Sequence, residues 1–105
     1  MARKPPASAP APAPPAREGW EGVFDPDFLE DLHFFIGTNP RLAGRVLELV
    51  QAVLRDPFVG IGKPEPLRGR AAGAWSRRVD SEHRLVYQVA DRRVFFVQCR
   101  YHYSK

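Results

Sequence analysis

The sequence predicts a small α+β domain in which an N-terminal helical hairpin packs on a small curved antiparallel β-sheet. Apolar residues recur at helical spacing between residues 25 and 56, and they alternate at the period of a strand from residue 74 onward. A chain of 105 residues is long enough for one small core and too short for two lobes around a deep cofactor cleft. The length therefore excludes a large nucleotide-binding enzyme.

Residues 1–18 form an Ala/Pro-rich tail that we expect to be disordered. Six of the eleven prolines lie within the first fifteen residues, and such a segment has few amide donors and no large side chain to bury. The folded domain is therefore expected to span residues 19–105. Arg3 and Lys4 are followed by proline and alanine rather than by the apolar run of a signal peptide. No segment has the apolar length of a membrane span, so we expect a cytoplasmic protein with no membrane partner.

Two helix starts in the first half of the folded domain share one pattern. Asp25 and Asn39 each precede a proline, which combines an N-capping side chain with a residue suited to the first helical turn. Apolar residues at helical spacing follow both signals, and Gly37 and Asp56 mark the expected helix ends. Two helices with so short a link predict a helical hairpin. Residues 20–24, ahead of the first helix, are a candidate short strand.

Three strands are expected in the second half of the chain, at residues 74–79, 84–90 and 94–101. Short polar turns separate them, which favours an antiparallel meander, and the Gly/Pro-rich residues 60–66 are expected to form an irregular loop. In the middle strand Leu85 and Tyr87 alternate with Arg84, so Arg84 lies on the opposite face. One face is therefore expected to meet the helices, and the other to present basic and polar groups.

The charge is unevenly distributed along a chain whose formal net charge is +4. Residues 1–18 have three basic and one acidic side chain, a net +2, and residues 20–58 have three basic and seven acidic, a net −4. Residues 59–105 have ten basic and four acidic side chains, a net +6. So basic a half favours a polyanionic partner such as RNA, DNA or a membrane surface. A solvated sheet face with no such partner is the alternative that charge alone leaves open.

The residues suited to chemistry are a carboxylate, a histidine and arginines. Glu65 lies between two prolines, which bias its backbone toward a stiff, extended geometry. His102 lies between two tyrosines at the end of a basic strand. An internal 2′-hydroxyl can cleave an RNA backbone when a base takes its proton, an acid protonates the leaving 5′-oxygen and cations stabilise the phosphate. Glu65, His102, Arg84 and Arg78 would supply that set without a metal.

Neither a metal site nor a cofactor is expected. The three histidines are far apart and have no cysteine partners at zinc-ligand spacing. No Gly-rich phosphate loop precedes a helix. Cys99 is the only cysteine, so an internal disulfide is excluded and a reducing compartment fits.

Adjacent arginines, Arg77 and Arg78, lie in the first strand of the predicted meander. Because neighbouring side chains of a strand point to opposite faces, only one of the two can share the surface of Arg84. Both are kept as candidates for RNA binding, together with Lys63 and Arg100. The alternative for either member of the pair is a surface charge that contributes little stability.

Four motifs occur in order along the chain. They are PFVGIGKPEPL at residues 57–67, WSRRV at 75–79, EHRLVY at 82–87 and CRYHY at 99–103. Together they resemble the YoeB/Txe family of type II toxins, within the RelE/ParE-like superfamily. The resemblance extends over residues 25–103, about three quarters of the chain.

The resemblance implies a RelE-like fold and a ribosome-dependent mRNA endonuclease that cuts the message in the decoding site and stops translation. It also implies a cognate antitoxin of the YefM/Phd type and a homodimer. Carried over by motif, Glu65 would be the general base, His102 the general acid and Arg84 the group that stabilises the transition-state phosphate. Arg78 would hold the RNA backbone, and Tyr103 would help to position the RNA.

Three points stay open at the level of sequence. The base and acid roles can be exchanged, because nearby arginines favour a neutral His102 whereas Glu65 and an incoming phosphate favour its charged form. A ParE-like toxin that binds DNA gyrase would use the same scaffold without this catalytic set. A catalytically inactive binding module, recruited through its proline-rich tail, is the third interpretation.

Overall fold

The computed structural model describes residues 19–70 and 72–101. In this part of the chain the elements follow in the order β1 (Glu21–Phe24), α1 (Pro26–Thr38), α2 (Pro40–Arg55), β2 (Glu65–Pro66), β3 (Ala74–Arg78), β4 (Arg84–Ala90) and β5 (Arg93–Gln98). The predicted α+β class, a helical hairpin packed on a small sheet, is confirmed. The tail expected to be disordered lies outside the described residues, so the proposed division at residue 19 stays a prediction.

The helical hairpin is capped at the two predicted positions. The Asp25 carboxylate accepts a hydrogen bond of 3.0 Å from the amide of Asp27 at the start of α1. Asn39 serves both helices: its amide donates to the Phe35 carbonyl at 2.7 Å, and its side chain accepts from the Leu42 amide at 3.3 Å. The sequence predicts that α1 ends at Gly37. The helix instead continues to Thr38, because Asn39 provides its C-cap. Neither helix is long and apolar enough to cross a membrane.

The described strands form one sheet of order β1-β5-β4-β3-β2. The predicted antiparallel meander holds for β3, β4 and β5, but β1 pairs in parallel with β5, so the sheet is mixed. A parallel pair needs a long crossover connection, and the chain between β1 and β5, including both helices, provides it. The predicted loop contains β2, a two-residue edge strand antiparallel to β3. Pro66 is tolerated there because an edge strand leaves one row of amides unpaired.

The main core lies between the helical hairpin and one face of the sheet. The helices contribute fully buried side chains such as Val46 and Leu49, and β4 contributes Leu85 and Tyr87, as the alternation predicts. Burying each large apolar side chain contributes roughly 1.5–3 kcal/mol. On the opposite face a small second cluster joins three buried residues with a half-buried neighbour: Leu67, Ala74, Val86 and Val97. The side of the sheet that faces away from the helices therefore has a small apolar core of its own.

Candidate functional site

The face of β2, β3 and β4 that points away from the helices is called the outer face, and four of its polar members are Glu65, Ser76, Arg78 and Arg84. Strand register places Glu65 opposite Ser76, and Arg78 opposite Arg84. Residues two apart in a strand share a face, so Ser76 and Arg78 lie on the same side of β3. Three separate strands therefore bring these four residues together.

An ion pair joins the two sequence-predicted catalytic residues of the outer face. Nη1 of Arg84 lies 3.2 Å from Oε2 of Glu65 and donates a hydrogen bond to it. The Arg84 side chain is 16% exposed and that of Glu65 is 49% exposed. The carboxylate is thus reachable from solvent, while the guanidinium is held partly inside the protein. An incoming phosphate can compete with Glu65 for Arg84, because both are anions that guanidinium binds well.

Ser76 is a site residue that the sequence reasoning missed. Its side chain is fully buried, and its hydroxyl accepts a hydrogen bond of 3.1 Å from Nη1 of Arg84. The same guanidinium nitrogen therefore has two oxygen partners on neighbouring strands, which fixes its direction. The sequence did contain a signal for Ser76: it precedes Arg78 by two residues, and residues two apart in a strand lie on the same face.

Arg78 adds a second cation to the outer face. It is exposed and lies across from Arg84 in the antiparallel register. Two like charges at opposed positions of a sheet repel, and the carboxylate of Glu65 offsets part of that repulsion. Two guanidinium groups and one carboxylate leave this cluster with a net positive charge, which favours an anionic ligand.

Lys63 is exposed in the loop that leads into β2. Its backbone has a φ of 53°, and the preceding Gly62 has a φ of 85°. A Cβ atom on Gly62 would lie 2.8 Å from a side-chain carbon of Leu49, so the close approach of loop and helix requires glycine here. The Gly62 carbonyl accepts a hydrogen bond of 2.7 Å from the Arg78 amide, which ties the loop to β3. Lys63 is thereby held two residues before Glu65.

Arg77, a predicted RNA-binding candidate, has a fully buried side chain on the helix-facing side of β3. Its guanidinium donates to the carbonyls of Asp56 at 2.6 Å, Ile61 at 3.0 Å and Val59 at 3.1 Å. It also donates from Nε to the Tyr87 hydroxyl at 3.1 Å. These bonds direct the cation inward and hold residues 56–61 in place, so we leave Arg77 out of the proposed RNA surface.

Tyr87 completes the buried network around Arg77. Its hydroxyl donates a hydrogen bond of 2.7 Å to the Pro57 carbonyl. Burial raises the pKa of the Tyr87 hydroxyl, and the contact with Arg77 opposes that increase. The neutral phenol is therefore the form that the folded protein favours.

Arg100, a second predicted RNA-binding candidate, lies against α1 rather than in the Arg84–Glu65 cluster. Its Nε is 3.7 Å from a carboxylate oxygen of Asp31, and its guanidinium carbon is 4.0 Å from the ring centre of Phe34. Asp31 also accepts a hydrogen bond of 3.0 Å from the Cys99 amide. Burial, aided by the negative charge of Asp31 and opposed by Arg100, raises the pKa of the Cys99 thiol to about 12.

His102 and Tyr103, the other predicted catalytic residues, lie outside the described residues. The last described residue, Tyr101, accepts at its carbonyl a hydrogen bond of 3.1 Å from the amide of Arg84. Tyr101, the residue that precedes the last two positions of the CRYHY motif, therefore lies beside the backbone of Arg84. In residues 19–70 and 72–101, no three His, Cys, Asp or Glu side chains are grouped so as to hold a metal ion.

Comparison with solved structures places the fold among bacterial toxins. A YoeB/ParE toxin from Agrobacterium tumefaciens superposes with a TM-score of 0.74 and is 41% identical, over 79% of this chain and 99% of that one. A YoeB dimer and a YoeB–YefM complex, both from Staphylococcus aureus, superpose with TM-scores of 0.72 and 0.70. They are 36% and 38% identical to this chain, and each comparison covers 80% of this chain and 98% of the other.

Sequence comparison resolves the family. Residues 24–103 match the model of a YoeB-like toxin of bacterial type II toxin–antitoxin systems. Toxin YoeB of Mycobacterium bovis and toxin RelK of Mycobacterium tuberculosis are each 51% identical over 80 residues, which cover 76% of this chain and 94% of theirs. The chain therefore belongs to the YoeB family of type II toxins.

Proposed function

We propose that this protein is a ribosome-dependent endoribonuclease that cleaves mRNA in the decoding site and thereby inhibits translation. The observation that carries the proposal is the Arg84–Glu65 pair at 3.2 Å on the outer face, with Arg78 across from Arg84. This arrangement combines a solvent-accessible carboxylate with two cations that suit a phosphate. Membership of the YoeB family supports the same activity.

The reaction follows from the groups available. The Glu65 carboxylate takes the proton of the 2′-hydroxyl, and the freed oxygen attacks the adjacent phosphorus. The bond to the 5′-oxygen breaks, and His102 protonates that leaving oxygen. The products are a 2′,3′-cyclic phosphate and a 5′-hydroxyl end. Exchange of the acid and base roles between Glu65 and His102 gives the same products.

The two arginines have different parts in the reaction. Arg84 is directed by Ser76 before substrate arrives, so once a phosphate replaces Glu65 as its partner it stabilises the charge that develops there at little cost in reorganisation. Arg78 is more exposed and suits a neighbouring phosphate of the message. Tyr103 and Lys63 would also contact the RNA.

The proposed partners follow from the family and from the charge distribution. A YefM/Phd-like antitoxin would neutralise the toxin. The Staphylococcus aureus YoeB–YefM complex supports a partner of this type, and the YoeB dimer suggests a homodimer. The net +6 of residues 59–105 suits mRNA and ribosomal RNA. The hairpin region, at a net −4, is expected to contribute less to those contacts. Translated mRNA is the substrate, so the site of action is the cytoplasm.

Primer extension on mRNA, with and without ribosomes, tests the proposal. The wild-type protein should cleave the translated message and leave the free message uncut. Glu65→Gln should lower cleavage by at least about 100-fold, since general base catalysis contributes about 10²–10⁴-fold. Glu30→Gln makes the same change of charge at an exposed position of α1 and should cleave like the wild type.

Two results would overturn the proposal. Full cleavage by Glu65→Gln would remove Glu65 from the mechanism. Inhibition of DNA gyrase by both the wild type and Glu65→Gln, with no cleavage of mRNA, would identify a ParE-like activity instead.

Deletion of residues 1–18 should leave cleavage unchanged, because the catalytic set lies wholly within residues 19–105.

A further inference from the structure

The segment between β5 and the proposed catalytic residues at the C-terminus has an unusual backbone conformation. β5 ends at Gln98 rather than at the predicted Tyr101. Tyr101 has a φ of 64°, in the left-handed region that a residue with a large side chain seldom occupies. Such a conformation persists only where surrounding contacts hold it. The contacts at Tyr101 therefore decide the direction in which the chain enters His102.

Two hydrogen bonds hold the backbone of Tyr101, and both are made with the dipeptide His83–Arg84. Its amide donates to Nδ1 of His83 at 2.6 Å. Its carbonyl accepts from the amide of Arg84 at 3.1 Å. His83, just before β4, and Arg84, its first residue, thus bind both polar groups of the Tyr101 backbone. Through Arg84, this attachment joins the C-terminal segment to the cation of the proposed site.

The His83 ring is fixed on several sides. It is 8% exposed, and its centre lies 5.0 Å from that of Phe35 in an edge-on arrangement. Its amide donates to the Asp80 carboxylate at 2.7 Å, and its carbonyl accepts from the Val79 amide at 2.9 Å. The imidazole is therefore placed in advance as an acceptor for Tyr101.

The hydrogen bond also defines the form of the imidazole. Nδ1 can accept from the Tyr101 amide only while it bears no proton, so the ring is neutral and its proton is on Nε2. Nε2 lies 3.7 Å from a carboxylate oxygen of Glu82. A side chain with an acceptor in the place of Nδ1 could substitute for this function, and one without an acceptor could not.

We propose that His83 is a positioning residue for the catalytic C-terminus. Its Nδ1 holds the Tyr101 amide, and this fixes the direction in which the chain continues from Tyr101 into the catalytic C-terminus. The consequence for cleavage rests on the proposed function. Displacing a catalytic group by about 1 Å can cost about 100-fold in rate, so release of Tyr101 should act mainly on kcat. Binding of the message, which depends on the exposed cations, should change less.

Two variants at position 83 test the proposal. In His83→Asn the Oδ1 atom takes the place of Nδ1 and can accept from Tyr101, whereas His83→Leu keeps apolar bulk without an acceptor. His83→Leu should lower kcat by at least about 10-fold with KM nearly unchanged, and His83→Asn should stay within a few-fold of the wild type. Equal losses in both variants, or full activity in His83→Leu, would overturn the proposal.

NMR of the free protein supplies a test that needs neither ribosome nor cleavage. The Tyr101 amide should be protected from hydrogen exchange in the wild type and in His83→Asn, and it should exchange rapidly in His83→Leu. In the wild type, the ring proton of His83 should be on Nε2, with none on Nδ1. A proton on Nδ1 would contradict the proposal even if no variant folds. A wild type that fails to cleave mRNA while passing the NMR test would refute the proposed function alone.

Discussion

Arg77 and Arg78 are chemically identical neighbours on β3, and the fold uses them differently. Arg77 is fully buried and donates hydrogen bonds to Tyr87 and to three backbone carbonyls. Arg78 is exposed on the outer face, across from Arg84. The difference shows that a count of basic residues overstates the positive charge that the surface presents to an anionic ligand. One arginine holds the loop that leads toward Glu65, and the next is available to a phosphate.

The largest expected effect on stability is at Arg77. Arg77→Ala would leave a cavity in the buried space of the guanidinium and would remove the donor from three partly buried carbonyls, and a fully buried group without its partner costs about 1–3 kcal/mol. We expect a loss of about 3 kcal/mol or more, a large part of the 5–15 kcal/mol typical of a domain. Arg77→Lys should recover little, because one ammonium group cannot reproduce the planar set of donors. Urea unfolding measures both losses, and a change below about 0.5 kcal/mol in either would refute this role.

The reverse pattern is expected at Arg78. Arg78→Ala should change the free energy of unfolding by less than about 0.5 kcal/mol, as is usual for a surface substitution. Cleavage of ribosome-bound mRNA should fall by about 10- to 100-fold, because a cation on the phosphate is lost. Arg41→Ala removes an exposed arginine of α2 and serves as the control. If Arg78→Ala unfolds the protein or leaves cleavage intact, the contrast between the two arginines fails.

A smaller loss of stability is expected at Tyr87. Tyr87→Phe removes the hydroxyl that donates to Pro57 and accepts from Arg77. The expected cost is about 1–2 kcal/mol, below that of Arg77→Ala, since the remaining bonds of Arg77 survive. A double-mutant cycle with Arg77→Ala should show coupling between the two sites. Additive losses would mean that the two side chains do not form one network.

The smallest effect concerns Cys99 and appears only at alkaline pH. The thiol's pKa rises from its ordinary value of 9.0 to about 12 in the folded protein. Below pH 9 both states keep the proton, and above it the unfolded chain loses the proton first, so stability falls as the pH rises toward 12. Cys99→Ala should flatten this decline, measured as the urea midpoint against pH. At pH 9, iodoacetamide should label the native thiol far more slowly than the unfolded one, and equal rates would contradict the burial.

Local signals in the sequence were sufficient for much of the fold. Asp25 and Asn39 cap the helices through bonds to residues two and three positions away, so the pattern is contained in a few residues. The alternation of β4 likewise separated Tyr87 from Arg84. The parallel pairing of β1 with β5 joins Glu21 to Arg93, and no local pattern specifies a partner so distant.

The same limit applies to the site. The opposite directions of Arg77 and Arg78 follow from strand geometry, but the acceptors of Arg77 lie in a loop 16 to 21 residues earlier. Ser76 could have been placed on the outer face from its spacing to Arg78. Its bond to Arg84 depends on the register of two strands, which the sequence pattern leaves free.

The chemistry of the RNA ends tests the proposed role of the outer face most directly. Cleavage through the 2′-hydroxyl, with Glu65, Arg84 and His102 as the acting groups, predicts fragments with a 5′-hydroxyl at one end. The other end should bear a 2′,3′-cyclic phosphate or the 3′-phosphate formed by its hydrolysis. Mass spectrometry of fragments from ribosome-bound mRNA distinguishes these ends. Fragments with a 5′-phosphate and a 3′-hydroxyl would contradict the mechanism.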